Sequence, residues 1–309
     1  QRQMCIRDSD TAAWPELTLP QMLREQARRQ PSAIAIRQKD FGIWKPLTWA
    51  DYWRRACRVG LGLRALGLSR GGRVAIVSEN RVEWLLTQLG AGAVGGVAVG
   101  VYPTSPAEEM GYVLEHADVE LVACEDQEQI DKVLQVASRL PLLRRIVMME
   151  TKGLRSYAPG ERARITTFAD VEADGAGREA AELAGLNSVL DAQSLDDTGL
   201  MIYTSGSTGK PKGAMLSYRN MRGVAPGIAD RLSMDARSVH LSYLPLCHVA
   251  EQMLSTFVPL YLGSQVNFGE SIRTVQEDLR EVAPTIFLGV PRIWEKLHAS
   301  ISIKMQELS

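Results

Sequence analysis

Cysteine is scarce in this 309-residue chain: Cys5, Cys57, Cys124 and Cys247 form no CxxC pair, so neither a disulfide framework nor a zinc ribbon is encoded. Histidine is as sparse, and His116, His240, His248 and His298 show no zinc-ligand spacing. Net charge is nearly absent. Lys+Arg 35 against Asp+Glu 36 leave -1, which excludes a global basic field for nucleic acid or an anionic membrane and confines any anion site to a local cluster. The opening QRQMCIRDSD lacks the apolar stretch of a secretory signal and any periodicity, so residues 1–10 are expected to be a non-native or disordered leader. Long uncharged runs are rare too. The main one, Trp84 to Ala107, has five glycines between Gly90 and Gly100, which favours a buried strand ending at Pro103 over a membrane helix. A reduced, cytosolic chain without a structural metal fits these absences.

Hydrophobic residues make up 45% of the sequence, enough for a substantial core, and they recur in alternating strand and helix periods. Thr48 with Asp51 predicts a helix start. Trp49, Tyr52, Trp53, Ala56, Val59, Leu63 and Leu66 follow at helical spacing, with Arg54, Arg55, Arg58 and Arg64 on the other side. RVAIVS (73–78) predicts a strand, Asn80 a helix cap, GGVAVGV the next strand, and Ser105-Pro106 with Glu108 and Glu109 a helix reaching His116. VELVAC, a helix over Gln127 to Ser138, and RRIVMM repeat the rhythm. Between Glu150 and Asp197 the pattern weakens into Gly, Ala, Asp and Glu and reads as a surface insertion with one short helix. Alternation then resumes with strands at TGLMIYTS, KGAMLS, SVHLSYL, SQVNF and TIFLGV, and with helices between them and from Pro291 onward. The fold class expected is α/β, multilayered, with largely parallel sheets and ligands at the carboxyl ends of strands.

Between the TGLMIYTS and KGAMLS strands lies YTSGSTGKPKG, Tyr203 to Gly213. Walker A geometry is excluded, because that loop needs Gly-Lys-Ser/Thr running into a helix, whereas Pro211 follows Lys210 and Thr204 stands five residues before Gly209. The loop still has phosphate-binding chemistry: glycines admit backbone N–H groups to an anion, hydroxyls donate, and Lys210 or Lys212 supplies charge. A flexible Gly/Ser hairpin accounts for the glycines but poorly for two lysines and a proline between apolar strands.

Thr204 to Gly213 resembles the [ST]-S-G-[ST]-T-G-x-P-K-G signature of the AMP-forming adenylating superfamily. YLPLCHVAEQM (243–253) and PTIFLGVPRIWEKLHASI (284–301) are similar to blocks of long-chain acyl-CoA synthetases. The resemblance runs from about Leu17 to the end, weakest over 150–197. It implies residues 11–309 as part of the large amino-terminal domain of such an enzyme. It also implies a two-step ligation in which a fatty acid carboxylate attacks the α-phosphate of ATP and coenzyme A then displaces AMP. The cofactor and co-substrates that the resemblance implies are ATP, Mg²⁺ and coenzyme A. On the resemblance, Thr204, Ser205, Gly206, Ser207, Thr208, Gly209, Lys210 and Lys212 bind the nucleotide phosphates, Thr208 attends the metal, and Lys212 and His248 are catalytic. Each charge-assisted bond would contribute about 1.5–3 kcal/mol.

Plainer readings stand beside these. His248 is alternatively a partly buried histidine satisfied by a backbone carbonyl, Glu251 either orients His248 or is an exposed helical glutamate, and Arg292 and Trp294 are expected to be helix packing. Tyr218 stands where the family often has histidine. The later Tyr-Gly-x-Thr-Glu block, the ribose aspartate and the small carboxyl-terminal domain with its lysine have no counterpart before Ser309, so an amino-terminal fragment, inactive alone, is expected. Rival readings are adenylation of another carboxylic or amino acid, or a truncated non-catalytic nucleotide-binding protein. Expected partners are small molecules and not nucleic acid, with peripheral membrane contact compatible with a greasy substrate. Oligomeric state is left open.

Overall fold

The computed structural model describes residues 16–204 and 209–307. The described chain begins with α1 (Leu19–Arg29), the antiparallel pair β1 (Ile34–Asp40) and β2 (Ile43–Thr48), and α2 (Trp49–Ala65). Thr18 and Gln21 close a capping box at the start of α1, and the Thr48 hydroxyl accepts from the Asp51 amide at the start of α2. Strand and helix then alternate as β3 (Arg73–Val77), α3 (Val82–Ala93), β4 (Val97–Val101), α4 (Ala107–His116), β5 (Val119–Cys124), α5 (Gln127–Val136) and β6 (Arg145–Met148). The single-turn α6 (Pro159–Arg162), β7 (Ile165–Thr167) and α7 (Phe168–Asp191) follow, then β8 (Thr198–Thr204), β9 (Lys212–Ser217), α8 (Tyr218–Arg231) and β10 (Val239–Ser242). A run of α9 (Val249–Gln252), a π-helical turn at Met253–Phe257 and α10 (Val258–Leu262) leads to β11 (Gln265–Phe268), α11 (Val275–Val282) and α12 (Pro291–Glu307).

Two sheets result. One has the order β7-β6-β5-β3-β4-β8-β9 and is parallel except for β9; the other, β10-β11-β1-β2, is parallel except for β2. Side chains of the larger sheet alternate between two cores, as the two-residue period of a strand requires. Val74 and Ile76, Leu121 and Ala123, and Leu200 and Ile202 face the layer of α1, α2, α3 and α7. Ala75 and Val77, Val122 and Cys124, and Met201 and Tyr203 face α4 and α5. The chain thus leaves β3 toward one face and β4 toward the other, which opens a crevice at the carboxyl ends of these strands.

The expected α/β class with largely parallel sheets is what the chain adopts. The uncharged run at Trp84–Ala107 divides into α3, a turn, β4 and the start of α4, and no helix among the described residues is long and apolar enough to cross a membrane.

Three local expectations are overturned. The segment 150–197 is no insertion with one short helix: it adds β7 to the sheet and carries α7, which at 24 residues packs along α2. Its weak apolar pattern has a physical cause. A Cβ on Gly175 would overlap the carbonyl oxygen of Arg58, so the two helices approach through small residues, and Arg55, Arg58 and Arg64 pair with Glu172, Glu179 and Glu182. Those arginines therefore face α7. Asn80 does not cap α3; Arg81 occupies that position and Asn80 turns toward the other sheet. TIFLGV forms no strand beyond a bridge between His240 and Ile286, because the Tyr243 hydroxyl donates to the Leu288 carbonyl and accepts from the Val290 amide, taking the groups a ladder would use.

Candidate functional site

The predicted phosphate loop joins β8 and β9, confirming a strand–loop–strand arrangement, with Tyr203 opposite Gly213 and Thr204 opposite Lys212. Ser205, Gly206, Ser207 and Thr208, including the metal residue expected at Thr208, lie outside the described residues. Gly209 has φ +102, a left-handed conformation that side chains resist. Thr204 and Lys212 are exposed at the mouth of the hairpin, and the Lys210 ammonium lies 4.9 Å from the centre of the Tyr112 ring on α4.

The base of the hairpin is anchored from below. The Tyr203 hydroxyl is 2.8 Å from Nδ1 of His116, and His116 sits edge-on to the Tyr203 ring. Burial, with Tyr112 beside it, pushes the Tyr203 phenol up to about 12, so it remains a neutral hydrogen-bonding group. His116, which the sequence marks only by its lack of zinc-ligand spacing, is thus part of the floor on which the hairpin stands.

His248 arrives from the second sheet. β10 ends at Ser242, and a strap over 243–248 brings the histidine to the N-cap of α9, where its Nδ1 accepts from the Ala250 amide at 3.1 Å. An accepting Nδ1 places the ring proton on Nε2, so the exposed imidazole presents a donor outward. It is neither partly buried nor held by a backbone carbonyl. Glu251 does not reach it. That carboxyl is fully buried and instead contacts Nε2 of His240 at 3.3 Å, the Ser255 hydroxyl, and the Leu244 amide at 3.2 Å. His240 therefore belongs to the support of the strap, a role no spacing signal in the sequence reveals.

Hairpin and strap meet. A cleft of about 450 Å³ at the carboxyl ends of β4 and β8 is lined by Thr204 and Pro211 of the hairpin, His248 of the strap, and Gly100, Tyr102 and Glu109. Gly100 lets the strap come close: a Cβ there would lie 2.9 Å from the Cα of Cys247. Cys247 itself is inert, since burial pushes its thiol up to about 12. Another cavity, of about 310 Å³, opens at the amino ends of strands beside Arg70, Arg73 and Tyr218 and holds none of the predicted site residues. Tyr218 is buried there, away from the cleft. Trp294 packs edge-on to Phe287 and donates to the Gly289 carbonyl, yet remains 51% exposed, so it is a partial packing residue.

Among the described residues, no group of three His, Cys, Asp or Glu side chains could hold a metal ion. The cleft brings the hairpin residues Thr204 and Pro211 to the same space as the outward donor of His248, while Lys212 stands exposed at the hairpin mouth, an arrangement suited to aligning two reactants.

A family model described as AMP-binding enzyme matches residues 23–309. The chain is 33% identical over 300 residues to the long-chain-fatty-acid–CoA ligase ACSBG2 of Xenopus laevis, covering 94% of this chain and 39% of that protein. It is likewise 33% identical over 295 residues to the human protein of the same name, covering 92% of this chain and 42% of that one. The chain thus spans about two-fifths of the length of these relatives. In structure it resembles a long-chain-fatty-acid-CoA ligase, FadD1, from Archaeoglobus fulgidus, with TM-score 0.75, 15% identity, and coverage of 93% and 54%. ATP-bound MatB from Rhodopseudomonas palustris gives TM-score 0.72 at 23% identity, covering 91% and 50%. With the signature hairpin, the fold and a family match over nearly its whole described length, this chain belongs to the AMP-binding enzyme family.

Proposed function

We propose that this chain supplies the phosphate grip and acyl-side wall of an enzyme that joins a long-chain fatty acid to coenzyme A. In the first step a carboxylate oxygen bonds to the α-phosphorus of ATP as the bond to the bridging oxygen breaks, giving acyl-adenylate and pyrophosphate. In the second, the thiol of coenzyme A attacks the acyl carbon and AMP leaves, its proton passing to solvent. Thr204, Lys212 and the rest of the loop would hold the β- and γ-phosphates, and Nε2 of His248 would donate to the acyl carboxylate. Both reactants are anions, so the barrier is governed by alignment and charge neutralisation. Magnesium would enter with the nucleotide, phosphate oxygens and water forming most of its shell, with Thr208 the loop residue nearest that duty. A long acyl chain partitions into bilayers, which would bring the enzyme to a membrane surface.

One observation carries this reading: the hairpin mouth and His248, from different sheets, face a single cleft at the carboxyl ends of β4 and β8. The two ligases at 33% identity support fatty acids as the substrate class. The test is ATP/pyrophosphate exchange by the full-length protein across a panel of acids. Long-chain fatty acids are expected to support exchange; exchange with amino acids alone would overturn the substrate, and none with any acid would overturn adenylation.

A further inference from the structure

The strap that carries His248 has its backbone held by side chains rather than by a sheet ladder. Nδ2 of Asn80 donates to the Leu244 carbonyl at 2.6 Å and to the Ser242 hydroxyl at 2.9 Å, while Oδ1 of Asn80 accepts from the Leu246 amide at 2.9 Å. The remaining groups go to α9: Glu251 accepts from the Leu244 amide at 3.2 Å, and Gln252 donates to the Leu246 carbonyl at 2.8 Å. A turn from the His248 amide to the Pro245 carbonyl, 2.9 Å, completes the strap.

These supports differ in origin. Glu251 and Gln252 follow His248 in the same stretch of chain, and only Gln252 reaches beyond it, accepting from Gln88 of α3 at 3.0 Å. Asn80 comes from the larger sheet, three residues beyond the end of β3, next to the β4 and β8 edge that carries Thr204. Its three bonds use both amide protons and the carbonyl oxygen, an arrangement that no other side chain of that size reproduces. Helix capping, the ordinary use of an asparagine here, is left to Arg81, whose side chain makes no cap bond.

We infer that Asn80 is the positioning residue that sets the distance of His248 from the phosphate hairpin, by fixing the strap of one sheet to the strand end of the other. The inference rests on the proposed role of His248 at the acyl carboxylate. A glue residue would stabilise both sheets without regard to substrate. A positioning residue acts on the acid half of the reaction through His248 and leaves nucleotide binding alone. An error of about 1 Å at a reacting group costs up to about a hundredfold in rate, so the effect is large enough to measure.

The experiment is a double-mutant cycle of Asn80→Ala and His248→Ala in the full-length protein, read by ATP/pyrophosphate exchange. Asn80→Ala is expected to lower kcat/KM for the acid by about tenfold or more, with KM for ATP within about twofold of wild type. The double variant is expected to match His248→Ala alone, since a displaced and a missing imidazole are the same loss. Multiplicative losses, or an equal loss on ATP, would overturn the inference. Asn80→Asp, of the same size, keeps the acceptor for the Leu246 amide but loses the donor to Leu244, and an intermediate loss is expected; it serves where Asn80→Ala does not fold. Hydrogen exchange gives a readout without activity. Peptides spanning 243–249 should exchange faster in Asn80→Ala while β8 and the start of β9 do not change, and unchanged exchange in the strap would overturn the clamp. If wild type shows no exchange with any acid, the functional reading fails while the hydrogen-exchange arm still decides the clamp.

Discussion

The hairpin and the strap line the same cleft and are held in opposite ways. Around the hairpin, Tyr203 meets His116 at the base and Lys210 rests over the Tyr112 ring, while Thr204 and Lys212 at its mouth are exposed, with no ion pair reaching Lys212 among the described residues. In the strap, the half-buried Asn80 and the buried Glu251 and Gln252 take the amide and carbonyl of both Leu244 and Leu246. On the proposed function, a group that meets a mobile anion keeps its donors unspent, and a group that presents one imidazole at one place is fixed from several sides. Substitutions at the hairpin mouth should therefore separate activity from stability, and substitutions beneath the strap should lose both.

Lys212→Met gives the largest effect and the cleanest break. Removing one charge-assisted donor from the phosphates, with no native partner left behind, should lower exchange by more than about a hundredfold, the scale seen when a single transition-state donor is deleted. The urea midpoint should stay within error of wild type. Unchanged exchange would show that the lysine is only solvated, and a large fall in midpoint would remove the contrast between the two regions.

Glu251→Ala comes next. It strands the Leu244 amide, the Ser255 hydroxyl and His240 in a buried site and opens a cavity, which should cost about 2–4 kcal/mol of stability. Exchange should fall as well, because the strap loses its lower support. Equilibrium urea unfolding checks the first and exchange at saturating ATP the second. A loss below about 0.5 kcal/mol, the range of ordinary surface changes, would mean that the buried network does not hold the strap.

What the sequence discloses follows the same divide. The hairpin is legible because its chemistry is local: glycines, hydroxyls, a proline and two lysines within eleven residues both bend the chain and carry the anion-binding groups of the proposed role. The strands of the larger sheet are legible because period-two burial leaves its mark, as in Val74 to Val77. His248 stands out only through resemblance, and its supports do not stand out at all. Asn80 reads locally as a helix cap, since the Ser242 hydroxyl, Leu244 carbonyl and Leu246 amide it serves lie more than 160 residues onward. Glu251 reads either as the orienter of His248 or as an exposed helical glutamate, because its partners His240 and Leu244 become neighbours only when β10 and the strap pack on α9, and Ser255 one helical turn on gives no sign of burial. The helix α7 is masked for another reason. Between the buried Phe168 and Val171 at one end and Leu186 and Leu190 at the other, glycine contact and an arginine–glutamate ladder interrupt the apolar stripe that marks most helices, so a long helical contact looks like polar linker.

The smallest effect tests whether the second sheet contributes electrostatically as well as by packing. Lys39 on β1 is only 7% exposed and bonds Asp278 at 3.0 Å and Glu281 at 2.7 Å, with the Trp44 indole donating to Glu281 at 2.8 Å. The Lys39 ammonium, and then the Trp44 indole, hold the Glu281 carboxyl below its ordinary value of 4.5. A depressed carboxylate adds stability that is fully present above about 4.5 and is lost as pH falls through the lower folded-state value. Lys39 is raised above 10.5, chiefly by its bond to Glu281, so its share is fully present below that pH and fades only in more alkaline solution. Glu281→Gln should accordingly be less stable than wild type at neutral pH, with the gap narrowing below pH 4.5 as wild type loses the same interaction. Asp278 still holds Lys39 in the variant, which keeps the effect modest. Urea midpoints measured across the acid range check this, and a gap that does not change with pH would mean that Glu281 acts through packing and not through charge. ATP binding should be indifferent to the substitution, because Glu281 lies in the α11 edge of the second sheet, away from the phosphate hairpin.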